Sequence, residues 1–326
     1  MEREALLRDL DQLVRETCEL WDPGWATFNW RQYTYDHVQR VRGLAVTLCR
    51  AEGGDTWITD LAALLHDITK PYDGEYVNDA QGKRVVDAQG YWRNAYRPPA
   101  RSNEVTELYE RLGLRGQLHH ESGATIATHL LRARGVDEAT IARVAQTVYD
   151  HLQCPADAPI ESRCLADADT IDANVGLPAF VRNIYINLHF YDQRKAPETP
   201  PIAQVLREGP VGFLRPYVSE NLPRWNAGKR RDFVPKLLTA SAQALADKRL
   251  QRLDDLFGVM AEELNTFGAN GRRSHLEVVL HYMTHQDDPS IAAETAYLAS
   301  QWATPETPAP VRAFICQLQR EIAGAE

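Results

Sequence analysis

The chain has 326 residues, of which 44% are hydrophobic and 25% are charged, and its formal net charge is −9. This balance is typical of a globular protein with a sizeable core and excludes a disordered chain. The acidic charge disfavours general nucleic-acid binding, because such binding needs basic side chains that neutralise the phosphate backbone.

Two further classes of protein are disfavoured by the sequence patterns. Apolar runs such as Leu61–Leu65 are far too short to span a bilayer, and the N-terminus shows no signal-peptide pattern. The five cysteines are scattered and form no C-x-x-C pair, which argues against a disulfide framework and a cysteine zinc site. We therefore expect a cytoplasmic protein without a membrane partner.

Helical periodicity runs through most of the chain, with apolar residues recurring every three or four positions. Gly or Pro follows several of these periodic segments, as expected at helix ends. In the N-terminal part, the predicted helices cover residues 3–20, 34–52, 56–69, 120–134, 137–153 and a segment from about 162 through 172.

Residues 75–93 interrupt the helical pattern. The tetrapeptide Asp79–Gly82 recurs as Asp87–Gly90, and each copy has the composition of a turn. Short pieces with strand composition, such as Arg84–Val86, lie around the two copies, so we expect three short strands in a β-meander. An insertion of this kind close to a catalytic motif is interpreted as a substrate lid, and the alternative is a surface hairpin without a chemical role.

The composition changes again after residue 195, where several prolines break any regular element. We place a soft domain boundary there, between residues 1–195 and a helical C-terminal extension, residues 196–326. The helices predicted in the extension cover residues 233–247, 250–267, 273–285, 289–303 and 308–323. The basic run Arg224–Arg231 is interpreted as a solvated loop, with a phosphate or oligonucleotide anchor as the alternative.

Histidine and aspartate residues stand at the ends of several predicted helices. His66 and Asp67 end an apolar helix, where a buried pair of this kind can be satisfied by metal coordination. Similar residues at other helix ends are His37, His120, His151 and Asp169. Four imidazoles and two carboxylates suit two divalent ions, such as iron, manganese, zinc or magnesium.

This ordered set of residues resembles the HD-domain superfamily of metal-dependent phosphohydrolases. The likeness covers about residues 30–185 and rests on four motifs: D-H-V-x-R-V, A-A-L-L-H-D-I-x-K, H-x-x-x-G-A-x-I-A and A-D-x-I-D-A. The resemblance implies an all-α fold, an HD-domain helical bundle in which residues 1–195 bind the metal and the meander at 75–93 is an insertion.

The resemblance also implies a role for each ligand. The first metal would be held by His37, His66, Asp67 and Asp169, with Asp67 bridging, and the second by His120 and His151. In members with one metal, polar groups at the last two positions face the substrate instead. Two alternatives stay open, because His119 could replace His120 and Asp167 could replace Asp169.

Basic and aromatic residues near the motifs are candidate substrate contacts. Lys70 matches the Lys of the family's H-D-x-x-K pattern, in which Gly usually stands at the site of Thr69, and it could neutralise a substrate phosphate. Arg182 is a second phosphate-clamp candidate. The alternative for Lys70 is a lysine in solvent at a helix C-terminus, and the alternative for Arg182 is a surface ion pair. Tyr96 and Arg101, in the stretch after the meander, are further candidates for substrate binding.

The function implied by the resemblance is hydrolysis of a nucleotide or another small phosphoester by a metal-activated water, with Asp67, Lys70 and Arg182 as catalytic residues. The alternative is a diiron HD-fold oxygenase that cleaves a C–C or C–P bond with O₂. A non-catalytic nucleotide-sensing module is a third hypothesis. The pattern makes no prediction of oligomeric state.

Overall fold

The structure is a computed structural model that describes residues 3–21, 31–88, 92–267, 273–284 and 290–325. Within these residues the chain is mainly helical, with one small two-stranded sheet, which confirms the predicted all-α fold with a β insertion. The chain divides into two compact units, Met1–Ala166 and Asp167–Glu326. Among the described residues, no helix combines the length and apolar character needed to cross a membrane.

The first unit is built from helices that lie close to their predicted positions. They are α1 (Arg3–Cys18), α2 (Arg31–Ala51), α3 (Thr56–Leu65), α4 (Glu104–Arg111), α5 (His119–Ala133), α6 (Glu138–Asp150) and the first part of α7 (Ile160–Asn174). Helix α4 was not predicted from the sequence. Its N-cap residue is Asn103, whose side chain accepts hydrogen bonds from the backbone of Val105 and Thr106.

Helix α3 forms the centre of the first unit. It begins after Asp55, whose side chain accepts a hydrogen bond from the Trp57 backbone, and it packs against α1, α2 and α6. Because it has neighbours on several sides, apolar residues such as Leu61 and Leu64 are buried all round the helix. The helix ends at Leu65, before the predicted end at 69, and a 3₁₀ turn follows at Lys70–Tyr72.

The insertion joins α3 to α4 and contains the sheet. Strand β1 (Asp73–Tyr76) pairs antiparallel with β2 (Asn94–Tyr96). Between them, three backbone hydrogen bonds connect Val77, Val85 and Arg93, which follow one another at intervals of eight residues: Val77 N to Arg93 O (3.0 Å), Val85 N to Val77 O (2.9 Å) and Arg93 N to Val85 O (3.0 Å).

These bonds form a closed ring of three segments, and the β1–β2 ladder at the base of the insertion has an irregular register between Asp73 and Tyr76. The eight-residue spacing matches the repeat of the turn tetrapeptide in the sequence. The end of its second copy lies outside the described residues.

The second unit continues α7 and adds eight further α-helices among the described residues. They are α8 (Leu177–Arg194), α9 (Ile202–Glu208), α10 (Pro210–Pro216), α11 (Leu222–Asp232), α12 (Ala240–Glu263), α13 (His275–Thr284), α14 (Ile291–Trp302) and α15 (Ala309–Ile322). Helix α8 packs against α13 and α15 and therefore belongs to this unit. The division of the chain thus falls before the predicted boundary at 195.

The basic run Arg224–Arg231 lies within α11 and is not the loop that its composition suggested. One of its cations, Arg230, pairs with Asp247 and Asp254 of α12. Helix α12 also spans two segments that were predicted as separate helices. In both cases packing between helices overrides a local sequence signal.

Candidate metal centre

The turn that ends α3 places Asp67 at the centre of a buried cluster of imidazoles. The side chains of the cluster are contributed by α2, by the turn after α3, and by α5 and the end of α6, and they are His37, His66, Asp67, His119 and His151. All are buried, and His66 is completely inaccessible to solvent. A carboxylate in such a position needs a positive partner, since an unpaired buried charge is strongly unfavourable.

Each oxygen of Asp67 faces two imidazole nitrogens. Oδ2 lies 3.6 Å from Nε2 of His37 and 3.6 Å from Nε2 of His66. Oδ1 lies 3.5 Å from Nε2 of His119 and 3.7 Å from Nε2 of His151. The carboxylate therefore joins two three-residue groups, one on each side.

The other ring nitrogen of three imidazoles has a partner that fixes the ring. Nδ1 of His66 lies 2.7 Å from the Ala63 carbonyl, and Nδ1 of His151 lies 2.6 Å from the Val148 carbonyl. Nδ1 of His119 lies 2.9 Å from Oδ2 of Asp73. Because these oxygens accept a hydrogen bond from Nδ1–H, each Nε2 presents its lone pair, which is the arrangement of a metal-bound histidine.

The spacing of these atoms fits divalent metal ions. Two ligand atoms that each lie about 2.1 Å from one ion, about 110° apart, are separated by about 3.4 Å. The distances of 3.5–3.7 Å around Asp67 are close to this value. In addition, Oδ1 of Asp67 is buried without a hydrogen-bond partner among the described residues. Imidazole and carboxylate ligands suit iron, manganese and zinc.

The electrostatics of the cluster favour an ionised carboxylate. Burial raises the pKa of Asp67, but Lys70 and the surrounding imidazoles outweigh it and hold the pKa well below its ordinary value. The Lys70 ammonium lies 4.0 Å from Oδ1 of Asp67 and 3.2 Å from Nε2 of His119. Its side chain is 29% exposed, so it stands at the rim of the cluster.

The structure favours His119 over His120 as the ligand from α5, contrary to the choice made from the sequence. His120 is also buried, but its ring lies against Tyr149, with 5.2 Å between centroids. Neighbouring helical residues point about 100° apart, so only one of the two can face Asp67. The spacing signal was present, because counting back from Gly123 places the first residue of H-x-x-x-G-A at His119.

The two candidate aspartates of α7 have different surroundings. Both oxygens of Asp167 accept hydrogen bonds from the Leu238–Thr239 turn, at 2.7–2.8 Å, so this side chain caps the start of α12. The alternative that placed Asp167 in the metal centre is therefore disfavoured. Asp169 is half-buried on the same helix, beyond the division between the units, and its role as a ligand stays a prediction.

The predicted substrate contacts Tyr96, Arg101 and Arg182 each have a partner within their own unit. Tyr96 lies in β2, with its hydroxyl bonded to Glu110. Arg101 donates to the Glu19 carbonyl at the end of α1. Arg182 belongs to the second unit, where it donates to the Ala173 carbonyl, so its role as a phosphate clamp stays a prediction.

Asp73 is a candidate functional residue that the sequence analysis missed. It lies at the start of β1, and its carboxylate orients His119 through the bond to Nδ1. A lone aspartate after a 3₁₀ turn carries no sequence signal for this role, because the contact joins elements 46 residues apart in the chain.

Residues 34–174 match the family model of the HD domain. The chain contains an HD domain. HD domains bind divalent metal ions and belong to a family of metal-dependent hydrolases. The matched residues include the two groups of potential metal ligands around Asp67.

Two solved structures are similar to the chain. One is a predicted HD superfamily hydrolase from an uncultured Thermotogales bacterium, with 22% sequence identity and a TM-score of 0.37, over 67% of this chain and 92% of that one. The other is YpgQ of Bacillus subtilis, with 16% identity and a TM-score of 0.39, over 83% of this chain and 100% of that one. No curated protein matches the chain significantly.

Proposed function

We propose that the chain is a metal-dependent phosphohydrolase that acts on a nucleotide or another small phosphoester. The observation that carries this proposal is the position of Asp67, whose two oxygens each face two imidazoles. One carboxylate between two sets of ligands suits a pair of divalent ions that share it.

The proposed centre uses His37, His66 and Asp67 on one side and Asp67, His119 and His151 on the other. That Asp169 is a further ligand stays a prediction from the sequence pattern. Ions held there would lower the pKa of a water toward neutrality and offset the charge of the phosphoryl group. The hydrogen bonds at Nδ1 keep the imidazoles in the tautomer and orientation that binding requires.

Lys70 is the proposed phosphate contact. Its ammonium lies beside Oδ1 of Asp67 and is partly exposed, so a substrate oxygen can approach it while the cluster behind it stays buried. A positive charge in this position stabilises a phosphoryl group through charge-assisted hydrogen bonds. In this role Lys70 binds and positions the substrate and does not transfer a proton.

The test begins with elemental analysis of protein purified without oxygen, followed by assays with p-nitrophenyl phosphate and a panel of nucleotides. We expect bound zinc, manganese or magnesium, together with phosphate release that stops on chelation and returns when the metal is restored. Iron bound with O₂-dependent substrate cleavage would instead identify the oxygenase. Nucleotide binding without metal would identify the sensing module.

A matched pair of variants separates the centre from the rest of the unit. Asp67→Asn removes the charge of the bridging carboxylate, and we expect metal content and turnover to fall by at least about 100-fold. Asp157→Asn makes the same chemical change at an exposed aspartate of the first unit and should alter neither quantity. Turnover by Asp67→Asn at the wild-type rate contradicts the proposal.

A further inference from the structure

A cavity of about 230 Å³ lies in the first unit, between the insertion and the turn that precedes α5. Its walls include Tyr72 from the 3₁₀ turn, Asp73 from β1, Trp92 and Asn94 from the returning arm of the insertion, and Tyr109 from α4. The cavity is thus formed largely by the insertion, the part of the first unit that departs from the helical pattern.

Asp73 connects the wall of this cavity to the candidate metal centre. The Asp73 side chain lines the cavity, and its Oδ2 lies 2.9 Å from Nδ1 of His119. Lys70, the proposed phosphate contact, begins the 3₁₀ turn that ends at Tyr72. The proposed phosphate contact and the cavity wall therefore share one short turn of the chain.

Aromatic rings form much of the cavity wall. Tyr72 stacks on Tyr109, with 3.8 Å between ring centroids, and on Tyr96, with 5.7 Å. The Arg115 guanidinium lies 4.2 Å from the centroid of Tyr96. Trp92 also lines the cavity; the Arg84 guanidinium lies 3.9 Å from the centroid of its ring, and the side chain as a whole is 57% exposed. Such walls suit a flat ring, which gains dispersion energy by stacking.

Two polar atoms in the wall have no hydrogen-bond partner among the described residues. They are Oη of Tyr72, a residue that is only 3% exposed, and Oδ1 of Asn94. Buried polar atoms in native proteins are nearly always satisfied, so ordered water or a bound ligand is expected to pair with these two. Burial raises the pKa of Tyr72, so its hydroxyl keeps the proton and acts as a donor, while the Asn94 oxygen accepts.

We propose that this cavity is a specificity subsite for the heteroaromatic ring of the substrate, with Tyr72 donating a hydrogen bond to the ring and Asn94 accepting one from a ring N–H. A nucleobase has this combination of a flat surface with a donor and an acceptor on its edge. The subsite rests on the proposed phosphohydrolase function, which it deepens by naming a nucleotide as the substrate class.

The size of the cavity agrees with a ring rather than a whole substrate. Complete small-molecule sites usually have volumes of about 300–1,000 Å³. The 230 Å³ here suits one ring system, with the sugar and phosphate lying outside toward Lys70. Recognition by buried polar groups also gives strong discrimination, because a ligand without the matching edge leaves both atoms unsatisfied.

The experiment compares kcat/KM of the metal-loaded full chain for the four nucleoside 5′-monophosphates with that for ribose 5-phosphate, which has no base. We expect at least one nucleotide to be preferred over ribose 5-phosphate. In Tyr72→Phe and in Asn94→Ala, the ratio of the two kcat/KM values should fall at least ten-fold. Tyr297→Phe, which removes an exposed hydroxyl in the second unit, is the matched control and should leave the ratio unchanged.

The unfolding temperature distinguishes recognition from a structural role. Tyr72→Phe removes a hydroxyl that has no hydrogen-bond partner among the described residues, so the variant should be as stable as the wild type or more stable. A lower unfolding temperature together with an unchanged ratio would overturn the proposal. An unchanged ratio at unchanged stability would also overturn it.

A failure of the proposed function is recognised separately. If no phosphoester is turned over, binding of adenosine, guanosine, cytidine and uridine is measured by calorimetry on wild type and variants. Binding that is weakened at least ten-fold in both variants supports the subsite even though the hydrolase assignment has failed. Turnover of ribose 5-phosphate without any preference for a nucleotide, or the absence of nucleoside binding, overturns the subsite.

Discussion

The arrangement around Asp67 depends on the orientation of single side chains. Its oxygens are shared between two pairs of imidazoles, and three of these rings are held by oxygens at Nδ1. Adjacent residues on a helix point in different directions, so only one of two neighbouring histidines can bring its Nε2 to Asp67. The adjacent residues His119 and His120 provide a direct test of this geometry.

We expect His119→Ala to lose metal and His120→Ala to retain it. Loss of an outer partner already costs about 10–100-fold in metal affinity, so loss of a ligand should cost at least as much. Metal content per chain, measured by elemental analysis on folded protein, decides between the two variants. Retention of metal by His119→Ala together with loss in His120→Ala would restore the assignment first made from the sequence.

Thr69 stands at a site where the family pattern usually has Gly, and the structure shows what its side chain contacts. Its hydroxyl lies 3.0 Å from the His119 carbonyl and 2.9 Å from the Ser122 hydroxyl, so it connects the turn after α3 to the start of α5. The side chain is buried, with 1% exposure. The hydroxyl therefore helps to hold His119 beside Asp67.

We expect Thr69→Val to reduce the free energy of unfolding by about 1–3 kcal/mol, because the buried partners lose a hydrogen bond and the shape is kept. Chemical denaturation of the metal-free chain measures this change. Thr69→Ser keeps the hydroxyl and is the control, with an expected loss well below that of Thr69→Val. Equal losses in both variants would show that the methyl group, rather than the hydroxyl, is responsible.

At the scale of elements, the predicted helices of the first unit are confirmed where the sequence is periodic, as in α2 and α5. The insertion shows the limit of this reasoning. The repeated tetrapeptide correctly indicated turns, but the hydrogen bonds that join Val77, Val85 and Arg93 in a ring depend on pairing across the whole insertion. This pairing depends on how the whole insertion folds back on itself, so no short stretch of its sequence predicts it.

The junction between α12 and α13 contains a carboxylate with a lowered pKa. Burial raises the pKa of Glu263, but hydrogen bonds from the His275 ring and from the backbone of His275 and Leu276 outweigh it and lower the pKa. A lowered pKa in the folded state means that the contribution to stability is complete above the unfolded pKa of about 4.3. It is lost as the pH falls through the folded value.

We therefore expect Glu263→Gln to be less stable than the wild type near neutral pH, by on the order of 1 kcal/mol. The difference should shrink as the pH falls from about 6 to about 3, because the wild-type carboxylate becomes protonated. Thermal unfolding across this range measures the effect. Glu262→Gln changes the exposed neighbouring residue and should show no such trend, and a difference for Glu263→Gln that grows toward acid would refute the argument.

At the scale of the whole molecule, a buried ionic cluster connects distant parts of the second unit. Glu321 of α15 accepts a hydrogen bond from the Leu177 backbone at the start of α8, at 2.8 Å. It also pairs with Arg249 and Arg252 of α12. The side chains of Glu321 and Arg249 are both completely buried. If one partner is removed, the charge of the other partner stays buried where it is poorly solvated.

We expect Glu321→Ala to destabilise the second unit by about 3–5 kcal/mol, as measured by chemical denaturation. Asp247→Ala breaks an exposed pair with Arg230 and is the control, with an expected loss of at most about 1 kcal/mol. A loss for Glu321→Ala as small as that of the control would mean that the cluster contributes little net stability.

The sequence by itself determined the all-α fold, most helices of the first unit and the presence of a histidine–aspartate site at helix ends. These features follow from local periodicity and from the chemistry of residue types, so short windows of sequence are sufficient to predict them. The residues His37, His66, Asp67 and His151 could be selected in this way.

The tertiary structure alone decided how these elements are used. It placed His119 rather than His120 beside Asp67, gave Asp73 its position behind His119 and Asp167 its place at the start of α12. It also formed the cavity under the insertion and assigned α8 to the second unit. Each of these outcomes depends on contacts between segments far apart in the chain, and the direction of a side chain is fixed only when its neighbours are packed around it.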